Sequence, residues 1–394
     1  MNANAQNYSP WLHRFILVTA AATFLLLGSG GMVTSHEAGM SVPDWPNTYG
    51  YNMFLFPVSK WVGGIFYEHT HRLLASGIGV LTTVLAVWLW RKEARAWMRW
   101  LGVLAFVLVA LQGVLGGLRV TLQMDKLGIV HGALAQLFFV LICALTLFTS
   151  RWWQNLQTGR AGSPLPAVGA HGVTRPARSL RALVLAATIL IFLQLILGAT
   201  MRHQHAGLAI PDFPAAYGKI WPDTSAAAVA RYNTDRMEVI SENPITAFQI
   251  VLQMVHRLVA LAIFVLVAVC AWLAQKPGAP ASWPASQMPD ADFRRQDAGA
   301  PGDGLPIHRR LSLFWLGLIV VQIILGAATI WSNKAADVAT AHVLVGALTL
   351  VTGALWCIIA FGSDIAAFCE RRTSGQRSPA AVAAGAHPAM VGNK

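Results

Sequence analysis

Apolar residues fall into eight long runs, and the polar, glycine and proline positions are concentrated between them. Each run holds roughly 20 residues, the length a helix needs to cross a hydrocarbon core of ~30 Å. The runs cover about Phe15–Val33, Ile65–Trp90, Trp97–Leu118, Leu127–Ser150, Leu180–Met201, Phe248–Leu273, Leu311–Ile330 and Ala339–Phe361. The pattern predicts an all-α membrane protein with eight transmembrane helices. The first run is too long for a cleaved signal and no small-residue cleavage site closes it, so it reads as the first span. Between the runs, 158–179 and 275–310 are rich in Gly, Pro, Arg and Asp. They read as connectors without the apolar content to fold alone. The stretch 362–394 reads as a disordered tail.

The polar segments between spans repeat. After the first span the chain reads His36, then Pro43-Asp44-Trp45-Pro46 and Tyr49-Gly50; after the fifth it reads His203, then Pro211-Asp212-Phe213-Pro214 and Tyr217-Gly218. The Pro-Asp-aromatic-Pro motifs lie 168 positions apart, and the histidines 167 apart, which implies a one-residue insertion. The likeness continues inside the spans. His71-Arg72-Leu73 is matched by His256-Arg257-Leu258, Gln112 to Gly116 by Gln322 to Gly326, and His131 by His342. The chain therefore reads as two four-helix halves, 13–157 and 180–361, in the same orientation, forming two pseudo-twofold-related bundles.

Composition supports a membrane protein: 55% apolar, 12% charged and a mean hydropathy of +0.53, against about 25% charged residues in soluble domains. The net charge of +12 raises the question of nucleic acid. Its distribution gives a different answer, because 19 of the 29 cations lie on one side of the spans. That is the positive-inside bias, placing both termini in the cytoplasm, with no nucleic acid as partner. Cys143, Cys270 and Cys357 fall within spans and Cys369 just beyond the last, so they read as packing residues and not as an outer-loop disulfide.

Four histidines, His71, His131, His256 and His342, enter the spans, two per half and each a few residues inside the outer end. Two imidazoles from different helices of a four-helix bundle are a usual axial ligand pair for haem iron. Zinc would want three or four ligands. Neighbouring glycines, among them Gly116, Gly198 and Gly326, leave room for a flat macrocycle and equally suit close helix packing. The halves then differ in one respect: Glu68, one turn before His71, is matched by Gln253, and His69 by Met254. A carboxylate beside only one ligand pair points to chemistry in the first half and electron supply from the second.

Taken together, the two Pro-Asp-aromatic-Pro loops, Glu68-x-x-His71-Arg72, His256-Arg257 and the histidines of the fourth and eighth spans resemble haem A synthase over roughly residues 13–361. The resemblance implies oxidation of the C8 methyl of haem O to a formyl group, giving haem A for cytochrome oxidase, in a bacterial plasma membrane with the haem sites towards the outer face. It implies that His71 and His131 ligate the substrate haem O, that Glu68 is catalytic, and that His256 and His342 ligate a resident haem b iron. Haem O synthase, the oxidase assembly machinery and membrane lipid are the implied partners. The outer-loop cysteine pair of some relatives is absent from this sequence, so a periplasmic dithiol relay is not expected and the electron donor stays open. Two rival readings are a dihaem b-type electron carrier and a haem-handling transporter or assembly factor. Arg72 and Arg257 read either as haem propionate partners or as snorkelling cations. His36, His203 and His205 read either as contacts of haem propionates or a metal ion or, the preferred reading, as solvated loop residues, and Asp44 and Asp212 as residues that order the turns.

Overall fold

Every apolar run is a helix in the computed structural model, which describes residues 8–158, 178–235, 244–276 and 307–374. The spanning helices are α1 (Pro10–Ser35), α2 (Gly63–Lys92), α3 (Ala96–Thr121), α4 (Asp125–Thr149), α6 (Arg178–His203), α8 (Ala247–Gln275), α9 (Ile307–Trp331) and α10 (Ala336–Ser374). Two short helices, α5 (Arg151–Thr158) and α7 (Ala226–Thr234), lie between them. No strand occurs among the described residues. The connectors expected over 158–179 and 275–310 lie mostly outside the described residues, as does the tail beyond Ser374. α10 runs on past position 362, where the sequence placed the start of a tail, because 364–368 (Asp-Ile-Ala-Ala-Phe) contains no residue that breaks a helix.

Local sequence sets the helix ends. Ser9 accepts a hydrogen bond from the Leu12 N–H with Pro10 in the first turn of α1, and Thr246 with Gln249 forms a capping box on α8. The helices are longer than the hydrocarbon core is thick: α2, at 30 residues, is roughly 45 Å long at 1.5 Å per residue, against ~30 Å.

Packing repeats between the halves. In the first, α1 meets α2, α2 meets α3, α3 meets α4 and α4 returns to α1; in the second, α6, α8, α9 and α10 form the same ring. Across the junction, α1 packs on α10, α6 on α4, and α4 on α10, as a twofold relation requires. Each ring has its own core. Ile16, Leu85, Leu89, Met98, Ile142 and Leu145 fill the first, and Val184, Val267, Cys270, Trp315 and Trp356 the second. A smaller cluster around Phe139, Ala347 and Val351 joins them. Cys143, Cys270 and Cys357 are free thiols.

Candidate functional site: two histidine pairs under paired loops

Each of the four intramembrane histidines projects against a glycine of the neighbouring helix. A Cβ on Gly30 would lie 3.1 Å from the His71 ring, on Gly116 3.5 Å from His131, on Gly198 3.4 Å from His256 and on Gly326 3.2 Å from His342. These glycines bring the next helix close to the imidazole. By helical rise, His71 and His256 lie about 12–14 Å inside their helix starts and His131 and His342 about 9 Å inside. The two pairs, His71 with His131 and His256 with His342, are close enough to interact electrostatically.

The rest of the imidazole environment indicates what the rings are for. Gln112 and Gln322 donate from their amides to the backbone carbonyls of His131 and His342, at 3.1 and 2.9 Å, bracing α4 and α10 where these histidines project. Nδ1 of His131, His256 and His342 is buried without a protein hydrogen-bond partner, whereas His71 Nδ1 pairs with the Ser29 hydroxyl at 3.2 Å. Nε2, the other ring nitrogen and the usual iron ligand, receives no hydrogen bond from the described residues in any of the four rings, which leaves it open to a ligand. Among the described residues no three His, Cys, Asp or Glu side chains converge into a metal group. Paired imidazoles with glycine-lined approaches fit axial ligation of a flat macrocycle.

The loops above the pairs are built alike. Asp44 accepts from the N–H groups of Tyr49 (2.8 Å) and Gly50 (2.9 Å), and Asp212 from those of Tyr217 (2.7 Å) and Gly218 (2.8 Å). Both tyrosines have positive φ, 49° and 54°, a strained state for a bulky residue. The carboxylate holds the backbone there. The tyrosine hydroxyls close the loops onto Ser41 and Ala209 carbonyls, both at 2.6 Å. The Asp44 carboxyl lies below its ordinary range: burial pushes it up, but the N–H groups of Gly50 and Tyr49 and the Arg72 charge more than offset this. A depressed carboxylate stabilises above its unfolded pKa and loses that contribution as pH falls through the folded value. The loop around 41–50 is therefore expected to become protease-sensitive below about pH 4. In Asp44→Asn the loop should be sensitive at all pH values, a difference that limited proteolysis between pH 3 and 7 reads directly.

Arg72 and Arg257 serve these loops. Arg72 donates to the carbonyls of Asp44 (2.7 Å), Val42 (2.7 Å) and Asn47 (3.1 Å), and Arg257 to those of Asp212 (2.7 Å) and Ala215 (2.8 Å). Their NH1 and NH2 groups thus fasten each loop to the helix beneath it, a role the sequence did not suggest.

Glu68 and Gln253 are also equivalent structurally. Glu68 Oε2 accepts from the Val42 N–H at 2.8 Å, and Gln253 Oε1 from the Ile210 N–H at 2.7 Å. Both are buried, 4% and 2% exposed. Glu68 differs by using Oε1 to pair with Arg72 at 2.7 Å. Loop anchoring is met by an amide in one half, so it does not account for the charge in the other. His69 is turned away from His71, paired with the Thr48 hydroxyl at 3.2 Å and packed between Phe56 and Trp61.

Two expectations need correction. Register between α1 and α6 is 168 throughout: Gly30 and Gly198 both face a histidine, and Glu37 and His205 both take positive φ. There is no insertion, and His203 occupies the place of Ser35, not of His36. His203 is also not a solvated loop residue. It is the last residue of α6 and is partly buried, its ring against Gly128 of the other half, because α6 packs on α4 there. His36 caps α1 and stacks on Tyr67 at 3.9 Å, and His205 approaches Glu37 at 3.6 Å. The outer segment 221–246 carries α7, which packs on the second loop with Tyr232 stacked on Tyr217 at 3.6 Å.

A model of the COX15-CtaA family, cytochrome oxidase assembly protein, matches residues 13–287. Among curated proteins, the chain is similar to the haem A synthase of Rhizorhabdus wittichii, 28% identical over 377 residues, covering 88% of this chain and 92% of that protein. It is also similar to the haem A synthases of Shouchella clausii (26% over 221 residues, 55% and 68% covered) and Lysinibacillus sphaericus (25% over 272 residues, 68% and 76% covered).

Proposed function

Because the chain belongs to the COX15-CtaA family of cytochrome oxidase assembly proteins, we propose that it is a haem A synthase. It takes haem O as substrate and converts the C8 methyl to a formyl group by two successive hydroxylations and loss of water. The positive-inside bias supports an orientation in the plasma membrane with both termini cytoplasmic and the haem sites towards the outer face. The observation that carries this reading is the Glu68/Gln253 difference, at two positions that accept the same loop hydrogen bond.

In this reading His71 and His131 hold the substrate haem, and His256 and His342 hold a resident haem b. The Nε2 atoms, to which the described residues make no hydrogen bond, and the glycines facing each ring suit that ligand set. Bound there, haem b supplies one-electron transfer. The chain's own contribution at the first site is Glu68. Arg72 fixes Oε1 and the Val42 N–H fixes Oε2, so the carboxylate is oriented beside the ligand pair, and each oxygen keeps a lone pair able to take a proton. The loops latched by Asp44 and Asp212 close the outer ends of the sites and limit water.

Co-expression with a haem O synthase tests the reading. Haem extracted from those membranes should contain the formyl-bearing product, shown by its pyridine haemochrome spectrum and chromatographic retention, and membranes lacking this chain should contain haem O without that product. Two unmodified b haems with no product would instead make the protein a dihaem electron carrier.

A further inference from the structure

Arg119 is a cation of the first half with no equivalent in the second half. It lies in the last turn of α3, and the matching position on α9, 210 residues on, is Thr329. Its side chain is only 16% exposed. A Cβ on Gly39 of the first outer loop would fall 2.6–2.9 Å from its guanidinium, and one on Gly128 of α4 3.1 Å from its Nε. His203 of the other half packs against the same glycine. Arg119 is therefore set into a slot between a loop, α4 and α6.

Its hydrogen-bonding capacity is largely unspent. The described residues give it one partner, the Asp125 carboxylate, at 3.2 Å from NH2, and its Nε is buried with none. Asp125 is 56% exposed, and such a pair is worth little and is screened. It does not explain an arginine buried to this depth. Arg72, by contrast, spends both terminal nitrogens on the loop and Glu68. The Arg119 charge is within electrostatic reach of Glu68, His71 and His131, beside the slot that Gly39 and Gly128 line.

We propose that Arg119 is the carboxylate anchor of the first site, its guanidinium pairing with a propionate of the substrate porphyrin. The inference rests on the haem reading of that half. A planar guanidinium presents parallel N–H donors matched to a carboxylate. One such contact fixes the macrocycle's rotation about the axis between His71 and His131, and so which edge methyl lies near Glu68. Arg119 is then a positioning residue and Glu68 the group beside the reacting edge.

The test compares a porphyrin that has carboxylates with one that does not. Protohaem IX and its dimethyl ester are titrated into purified protein whose second half is already loaded, and binding is followed in the Soret band; loss of the signal in His71→Ala assigns it to the first half. Wild type is expected to prefer the diacid by about tenfold or more, as a charge-assisted hydrogen bond would give. Arg119→Gln should bring the two ligands to within about threefold of parity while binding the ester as wild type does, and Arg119→Lys should recover part of the preference. Asp125→Asn should keep it. An undiminished preference in Arg119→Gln overturns the proposal and leaves the haem reading intact, as does equal loss in Asp125→Asn. Absence of saturable binding to wild type overturns both.

Discussion

Glu68→Gln is expected to lower haem A formation by about 10²–10⁴-fold, the range by which a positioned proton-transferring group contributes, while fold and haem content stay at wild-type levels. The second half already shows that an amide is tolerated at this place. Gln253 accepts the Ile210 N–H at 2.7 Å as Glu68 accepts the Val42 N–H at 2.8 Å, and Arg257 remains on loop carbonyls without a carboxylate partner. Removing one member of a buried ion pair normally costs several kcal/mol because the other charge is stranded. Here Arg72 keeps three carbonyl acceptors, each hydrogen bond worth roughly 1.5–3 kcal/mol when a charged group makes it. Glu68→Asp provides a second variant: it keeps the charge but withdraws the carboxylate by one methylene, and an intermediate loss of rate is expected. Product is read by chromatography of extracted haem, and occupancy by pyridine haemochrome. Normal product from Glu68→Gln would remove the carboxylate from the chemistry and return it to the loop.

The same subtraction of one half from the other was available in the sequence, and it worked best where the repeat lies in regular helix. The eight spans, the four histidines and the Glu68/Gln253 difference could all be read there, because a helix fixes which residues share a face and depth. It failed at the helix ends. Two histidines near the same motif, His36 and His203, suggested an insertion, whereas the backbone holds one register and places His203 at the position of Ser35. Sequence likeness in a short loop is weak evidence beside a hydrogen-bond pattern that recurs residue by residue.

Long polar side chains were harder still. Arg72 and Arg257 offered two readings, propionate partner or snorkelling cation, and their terminal nitrogens turned out to be used on loop carbonyls that no pattern foretells. Arg119 follows an apolar run and by pattern alone is one more cation at a helix end. What sets it apart is burial, a tertiary property. A signal did exist, since Thr329 at the equivalent place is a difference of the same kind as Gln253 against Glu68. Gln112 and Gln322 were visible as repeated letters, but that they brace the carbonyls of His131 and His342 depends on how α3 meets α4 and α9 meets α10.

His256→Ala is expected to remove haem b from the second half and, with it, product formation, while the first half still takes up haem. Deleting a group that merely orients a metal ligand already costs 10–100-fold in affinity or activity, so losing the ligand itself should cost at least about 100-fold. The variant is informative because the fold asks little of this side chain. His256 Nδ1 has no protein partner, so no hydrogen bond within the chain is broken. The ring faces Gly198, and the Gln194 amide holds the His256 backbone carbonyl at 2.9 Å, a contact alanine retains. The second core, centred on Val184, Val267 and Trp315, lies outside that contact. Haem loss would therefore report ligation and not collapse, and an unchanged thermal melting profile of the haem-stripped proteins would verify this. His342→Ala should behave alike, since its Nδ1 is equally unpartnered, whereas His69→Ala should keep both haems and weaken only the loop held through Thr48. Full haem b content with an unaltered spectrum in both His256→Ala and His342→Ala would remove the axial pair from the second half, and the electron-supplying role assigned to it.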